Sequence, residues 1–589
     1  MTTPPSASGS RRSQLFIFAI LLATIYVLHF PLLRLPYFWD EAGYYIPAAR
    51  DLLLTGSVIP HSTPSNAHPP LVMAYLAACW KLFGFSVFVT RSAMLTIAAF
   101  TLLGVYRLAL RVANPPIAIA STLCTALYPV FFAQSSLAQV DLAAAGFTFW
   151  ALEAYVDERP AATAIWFSLA VLSKETAVLA PLALIGWRFV GPWLTSRMES
   201  RTLSSPESSH SSKTNGGAAG VPSASSGQAP ARRTRPPENS AHYSTNPARF
   251  KILPALLVPV AVLAIWFLYH YLRTGYIFGN PEFFRYNVQA TLSPVRIGLA
   301  FLTRLWQVLV YMHLAVLTLL MMWAMFHPPL RNGTERPRIP IPIQLAFGLV
   351  ILAYVVCMSV IGGAVLARYM LPVVPLVIIL AVSTLWRRIR TWPLLIALTA
   401  GAFVAAWFLN PPYGFAPEDN LAYRDYIVMH RHAAWFLAQH YENGPVLTAW
   451  PASDELSRPY LDYVNKPIPV VRVEDFSAEE MLAAAQGRVD FPAALVFSTK
   501  YEPRRSPFER WQWWQSAKRR FFGFHQDLPP AVAAQVLGGH VVFEEHRRGQ
   551  WVAVIEIDRA FDAQRRDQDA IRWQECVLTT SHTSRPALR

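Results

Sequence analysis

Asp40 and Glu41 stand side by side in PYFWDEAGYYIPAARDLLLTG, residues 36–56, directly after an apolar run from Leu15 to Leu33. A helix here would place Asp40 beneath Tyr44 and Glu41 beneath Tyr45, because each pair is four residues apart. Carboxylates beside a membrane span belong at the water boundary or in a polar cavity, since charge at a helix centre costs about 2.5–3.5 kcal/mol. Further along the chain, His61, His68, Arg91, Asp141, Lys174, Glu175, Arg273, Arg285 and Arg368 fall at the ends of apolar runs. Each has an ordinary explanation alone: a loop histidine, a snorkelling arginine, a local Lys174-Glu175 pair. Together they set separated acids, Asp40 and Asp141, beside several cations. A carboxylate can take a proton from an attacking hydroxyl, and cations can stabilise a departing phosphate.

The elements that must position these residues are apolar. Of 589 residues, 53% are hydrophobic and only 15% charged, well below the ~25% charged of soluble proteins. Several runs reach the ~20 residues that a spanning helix needs. The net charge of +15 sits largely in short segments between runs, a positive-inside pattern that excludes a nucleic-acid partner. Cys79, Cys124, Cys357 and Cys576 are far apart and show neither metal spacing nor a disulfide framework.

Residues 1–13 read as a cytoplasmic leader, with Arg11 and Arg12 fixing the N-terminus inside. Residues 14–194 form a first membrane half carrying an outer loop at 35–70. Its apolar runs after the first are Val87–Leu110, Ile117–Phe132, Leu142–Tyr155, Ala161–Leu172 and Thr176–Val190, with Leu71–Phe85 lying along the surface. Residues 195–249 are rich in Ser, Pro, Gly and Ala and read as a disordered cytoplasmic linker. Residues 250–411 carry runs at Ile252–Tyr271, Ile297–Trp323, Ile343–Ile361, Tyr369–Trp386 and Pro393–Leu409. The fold class is therefore a polytopic α-helical membrane protein with about eleven transmembrane helices. Residues 412–558 follow as an outer-face soluble α/β domain, with a helix at Tyr423–Tyr441 and another at Ala478–Gln486. Strands are expected at Pro445–Trp450, Ile468–Val473, Ala493–Ser498 and Trp551–Ile557. Residues 559–589 are a polar tail. The aromatic and basic stretch Trp511–Phe524 fits a domain edge, with glycan or lipid contact the other reading.

In order, FWDEAGYY, HPPLVMAYLAACWKLFG, TRSAM, AQVDLAAAG, LSKETAV and ARYMLPVVP resemble a lipid-dependent glycosyltransferase of the GT-C fold. The likeness is to the bacterial protein O-mannosyltransferase and aminoarabinose transferase group, over roughly Phe16–Leu409. It implies transfer of one sugar from a polyprenyl-phosphate donor to a protein, lipid A or glycan acceptor on the outer face of the cytoplasmic membrane. Inversion at the sugar and no cofactor or metal are also implied. By motif, Asp40 corresponds to the catalytic base, Glu41 to its acceptor-side companion and Asp141 to the second acid. His68, Arg285, Lys174 and Arg91 are candidates for the donor phosphate; Tyr44, Tyr45, His61 and Arg368 are candidates for substrate contacts. Aminoarabinose transferases carry Glu-Lys before the two prolines where this chain has Ala67-His68, which makes charge at that point pH-dependent near neutrality. A transporter or flippase is the rival class, but no internal repeat is visible and the ionisable residues collect near one face. An oligosaccharide-transferring GT-C enzyme is the rival within the class.

Overall fold

The computed structural model describes residues 7–203, 248–281, 284–285, 291–361, 363–442, 444–487, 490–501 and 510–558. The first part is helical. In chain order the helices are α1 (Ala7–His29), α2 (Ile46–Thr55), α3 (Leu71–Phe83), α4 (Val87–Val112), α5 (Pro115–Leu127), α6 (Pro129–Gln134), α7 (Asp141–Val156) and α8 (Pro160–Ser173). There follow α9 (Leu179–Leu203), α10 (Ala248–Thr274), α11 (Pro294–Leu309), α12 (Leu314–Met325), α13 (Ile341–Val360), α14 (Val374–Arg388) and α15 (Trp392–Phe408). Most of the Ser/Pro/Gly stretch, residues 204–247, and the tail 559–589 lie outside the described residues.

Sequence chemistry explains where the apolar runs break. Tyr128 precedes Pro129 and takes φ −58°, ψ 125°, outside the helical region, as a residue before proline is steered to do. The run Ile117–Phe132 therefore becomes α5 and α6. The run Ile297–Trp323 also splits: His313 takes φ 66°, and α11 and α12 meet at 77°. Five helices are long and apolar enough to cross a membrane among the described residues, or six with that bent pair. Of the eleven runs expected to span, those that become α5, α8 and α15 are apolar helices of only 10–17 residues, as is α3, which was expected along the surface. α3 and α5 pack against α4 and α8 against α10, while α15 packs against α5 and α12. Small residues allow the closest approach: a Cβ on Gly146 of α7 would lie 2.3 Å from Thr101 Oγ1 of α4.

The C-terminal part is a five-stranded mixed sheet. Its strands are β1 (Val446–Ala449), β2 (Val470–Val473), β3 (Ala493–Phe497), β4 (Gly539–Arg547) and β5 (Gln550–Ile557), in the order β2-β1-β3-β5-β4. The central pairs β1–β2 and β1–β3 are parallel, and β5 runs antiparallel to both its neighbours. Helix α16 (Ala422–His440) covers β4 and β5. Four strands were legible; β4, GHVVFEEHR, was not. It is an edge strand with no fully buried residue, and its apolar stretch is only Val541–Phe543 between charged and polar residues.

The sheet sits at the end of the helical bundle where α1 ends and α14 begins. Tyr463 Oη donates to the Tyr37 carbonyl at 3.0 Å, and Gln134 of α6 reaches the Glu418 carbonyl. The other end of the bundle carries the arginine-rich loops, where Arg107 and Arg159 pair with Glu153 and Arg387 with Glu335.

Candidate active site

Arg368 is the hub of the site. It lies in the short turn Ala367–Met370 between α13 and α14 and is almost fully buried. Its Nη2 donates to Asp40 Oδ2 and its Nη1 to Glu418 Oε1. Its Nε stands 3.3 Å from Asp141 Oδ2. Asp141, the first residue of α7, accepts from Lys174 Nζ at 2.6 Å. The Lys174 ammonium in turn rests 3.8 Å from the centre of the Tyr369 ring. Three carboxylates thus share two cations, an arrangement with one unbalanced negative charge.

Burial acts on that imbalance. Desolvation pushes the Glu418 carboxyl up to about 7, against the pull of the Arg368 guanidinium and with help from the Asp40 charge. Asp419 is also raised to about 7, by burial and then by Glu418 beside it, while Tyr311 donates to its Oδ2 at 2.6 Å. Arg368 is held well above its ordinary value by Glu418 and Asp40, despite its own burial. The guanidinium therefore stays charged, and burial favours the protonated form at Glu418 and Asp419.

A cavity of ≈ 1000 Å³ opens onto these groups. Asp40, Glu418, Arg368 and Lys174 line it with His68 and Lys500. His68 Nδ1 pairs with Glu175 at 3.0 Å, and its ring lies 5.7 Å from Tyr44 and 5.9 Å from Tyr45. The loop bearing His68 is fastened at both ends. Asp51 accepts from the backbone N–H groups of His61 and Ser62, each at 2.7 Å. Further on, Trp266 of α10 donates to the Ala67 carbonyl and His270 meets Ser65. Trp39 and Trp450 form an aromatic wall of the same cavity, with ring centres 5.3 Å apart. Gly43 makes room for that wall, since a Cβ there would lie 2.6 Å from the Trp450 indole nitrogen.

Of the residues singled out in the sequence, Asp40, Tyr44, Tyr45, His68, Lys174 and Arg368 line the cavity, and Asp141 meets it through Lys174 and Arg368. Glu41 and Arg91 do not line it. They form an enclosed pair at 2.5 Å, with Arg91 also donating to the carbonyls of Ser136, Leu35 and Pro36. Glu41 accepts in addition from the backbone of Phe38 and Ala138. Both Nη atoms of Arg91 and both carboxylate oxygens of Glu41 are engaged by the protein, so the geometry of the pair is that of a brace. His61 is exposed and enters the site only through its backbone; Arg285 is exposed beside the cavity-lining Phe284. Among the described residues no group of three His, Cys, Asp or Glu is placed to hold a metal ion.

Residues 67–204 match the family described as dolichyl-phosphate-mannose-protein mannosyltransferase. Among curated proteins there is no match. ArnT from Cupriavidus metallidurans, solved bound to undecaprenyl phosphate, is similar at 14% identity and TM-score 0.49, over 93% of this chain and 98% of that one. The Archaeoglobus fulgidus oligosaccharyltransferase, solved in complex with Zn and sulfate, is similar at 13% identity and TM-score 0.42, over 92% of this chain and 72% of that one. Through that family match the chain resembles the GT-C glycosyltransferases over residues 67–204. The family match contains His68, Asp141 and Lys174 but stops before Arg368 and Glu418 and begins after Asp40.

The sequence reading missed Glu418, Trp450 and Lys500, all contributed from beyond α15. For Glu418 a signal existed. The stretch Pro411–Asp419 repeats the pattern of Pro36–Glu41, an apolar helix followed by proline, aromatics and two adjacent acids. In both pairs one acid meets Arg368 while the other turns inward to Arg91 or Tyr311.

Proposed function

We propose that this protein is a membrane glycosyltransferase that moves a sugar from a polyprenyl-phosphate donor to a hydroxyl acceptor at the outer membrane surface. The observation that carries the reading is the cavity in which a half-exposed carboxylate, Asp40, faces a set of cations at one end of a helical bundle. In the transfer step Asp40 accepts the proton of the acceptor hydroxyl as its oxygen attacks the anomeric carbon. The bond from that carbon to the phosphate oxygen breaks, and the phosphate leaves with the electron pair. It needs no general acid, being a stable anion. Attack opposite the leaving group inverts the sugar.

The remaining residues orient and screen. Arg368 fixes the Asp40 carboxylate, and Asp141 holds Lys174 in the wall. His68, Lys174 and Lys500 supply positive charge for the phosphate. Glu41 and Arg91 brace the turn that bears Asp40. The apolar share of the cavity, with Phe267, Phe278 and Ile361 among its walls, suits the lipid end of such a donor. Ionisable groups gathered at one end of the bundle favour surface chemistry over transport through its middle.

The test is transfer itself. Purified protein in lipid is incubated with a panel of polyprenyl-phosphate sugars and membrane extracts as acceptors, and sugar incorporation is followed. Release of polyprenyl phosphate coupled to sugar incorporation supports the reading. Donor translocation across the bilayer with no bond cleavage overturns it.

A further inference from the structure

The helix Gln512–Phe522, QWWQSAKRRFF, contributes no residue to the wall of the cavity and none to the domain core. Its half-buried side carries Trp514, Ala517, Phe521 and Phe522. The other side presents Trp513 at 62% exposure with Arg519 and Arg520. Trp511 just ahead of the helix is 46% exposed and stacks on Trp513, centroids 5.7 Å apart. Stacked indoles open to solvent beside two arginines are costly against water alone, because large apolar area stays wetted.

The position of the helix names what covers it. Arg296, in the first turn of α11, donates through Nε to the Phe521 carbonyl and through Nη2 to the Gly363 carbonyl. The helix is thus tied to the end of a bent membrane helix, beside exposed Leu292 and Val295. If α11 enters the bilayer, its end lies where tryptophan rings settle among headgroups while arginines meet lipid phosphates. The neighbouring Ala364 and Lys500 belong to the cavity wall.

We infer that Trp511, Trp513, Arg519 and Arg520 form an interfacial foot that seats the C-terminal domain on the anionic phospholipid surface beside the cavity mouth. The inference rests on the membrane reading of the helices and is independent of the sugar-transfer reading. Indoles enter the headgroup layer, and each arginine near the anionic surface tightens seating by about fivefold.

The full chain is placed in nanodiscs of neutral phosphatidylcholine, or of phosphatidylcholine with phosphatidylglycerol. A nitroxide is attached at Trp513→Cys, with the labelled parent protein subtracted. Collision with lipid-soluble oxygen should exceed collision with a water-soluble nickel chelate in the anionic discs. In Arg519→Gln/Arg520→Gln the balance should shift toward water by about tenfold or more, and high salt should shift the unsubstituted foot the same way. Chelate-dominated collisions in both lipids, or insensitivity to both the substitutions and salt, would overturn the inference. Neither readout requires transfer activity, so a failed transfer assay leaves it testable.

Discussion

Arg368 holds Asp40 and Glu418 on different nitrogens of one guanidinium, Nη2 for the first and Nη1 for the second. Asp40 lies 328 residues away in the chain and Glu418 only 50. The proposed base and the acid that opens the soluble domain therefore share one cation. Whatever changes the charge on Glu418 is felt at Asp40 through a single rigid group.

Asp40→Asn should lower single-turnover transfer by about 10²–10⁴-fold, with donor-lipid binding largely retained. Asn keeps the size of the side chain and loses the proton acceptor. Near-normal turnover in correctly inserted protein would remove Asp40 from the chemistry. His68→Ala should differ by weakening donor binding as well, since phosphate is anionic before and after the transition state.

Glu418 and Asp419 give the protein a pH signature. Their folded values are raised to about 7 from 4.5 and 3.8. Their contribution to stability is thus complete below about 4 and lost as pH rises through 7. Thermal stability should fall as pH rises from about 4 to about 7, and Glu418→Gln should flatten part of that fall, by about 1–3 kcal/mol. The pH profile of transfer should lose an inflection near 7 in the same variant. A profile identical to the parent would separate Glu418 from the site.

Glu41→Gln or Arg91→Met should act on folding rather than on chemistry. Each leaves the other charge buried without its partner, which costs about 3–5 kcal/mol. Yield and melting temperature should drop, while protein that remains folded should bind donor lipid with near-parental affinity. A loss of transfer at unchanged stability would instead bring Glu41 into the reaction.

Gly43→Ala introduces a methyl group into the Trp450 ring, with contacts of 2.6–2.9 Å to three indole atoms. The ring must move, at a cost of about 1–3 kcal/mol, and the aromatic wall moves with it. Transfer should fall, and Trp450→Phe in the same chain should recover part of the loss by vacating the indole edge. Failure of that double variant to improve on Gly43→Ala alone would mean that the wall is not what the methyl group disturbs.

Sidedness has its own test. A phosphatase reporter, active only outside the cytoplasm, should be active when fused after Asp558 and silent within residues 204–247. The reverse pattern would put Asp40 and the cavity on the cytoplasmic face.

Most of the site was legible because charge beside apolar runs is rare. Asp40, His68, Asp141, Lys174 and Arg368 stood out against long stretches of Leu, Val and Ala. What sequence could not say is which acid of a pair faces the cavity. Asp40 and Glu41 differ by one residue, and the turn at Trp39, with φ 45°, decides that Glu41 goes inward to Arg91. Arg91 looked like a phosphate ligand for the same reason: a lone cation gives no hint of a carboxylate 50 residues earlier. The helices were legible as apolar runs, but their breaks at Tyr128 and His313 depend on proline and on a local left-handed residue inside runs of unbroken hydropathy. Trp450 and Lys500 carried no signal at all, because they are ordinary residues at the ends of soluble strands.

Arg368 draws its partners from stretches of chain that leave the ribosome far apart in time. When α14 has been inserted, Asp40, Asp141 and Arg368 are all present, yet Glu418, Trp450 and Lys500 have still to be synthesised. A nascent chain at that point has its proposed base but an open-walled pocket and a guanidinium lacking one of its carboxylates. On the proposed reading, catalytic competence would be acquired last, when the final third of the polypeptide has been delivered and folded. On the same reading, a ribosome that stalls before residue 418 would leave a protein in the membrane that lacks Glu418, Trp450 and Lys500 from its cavity wall.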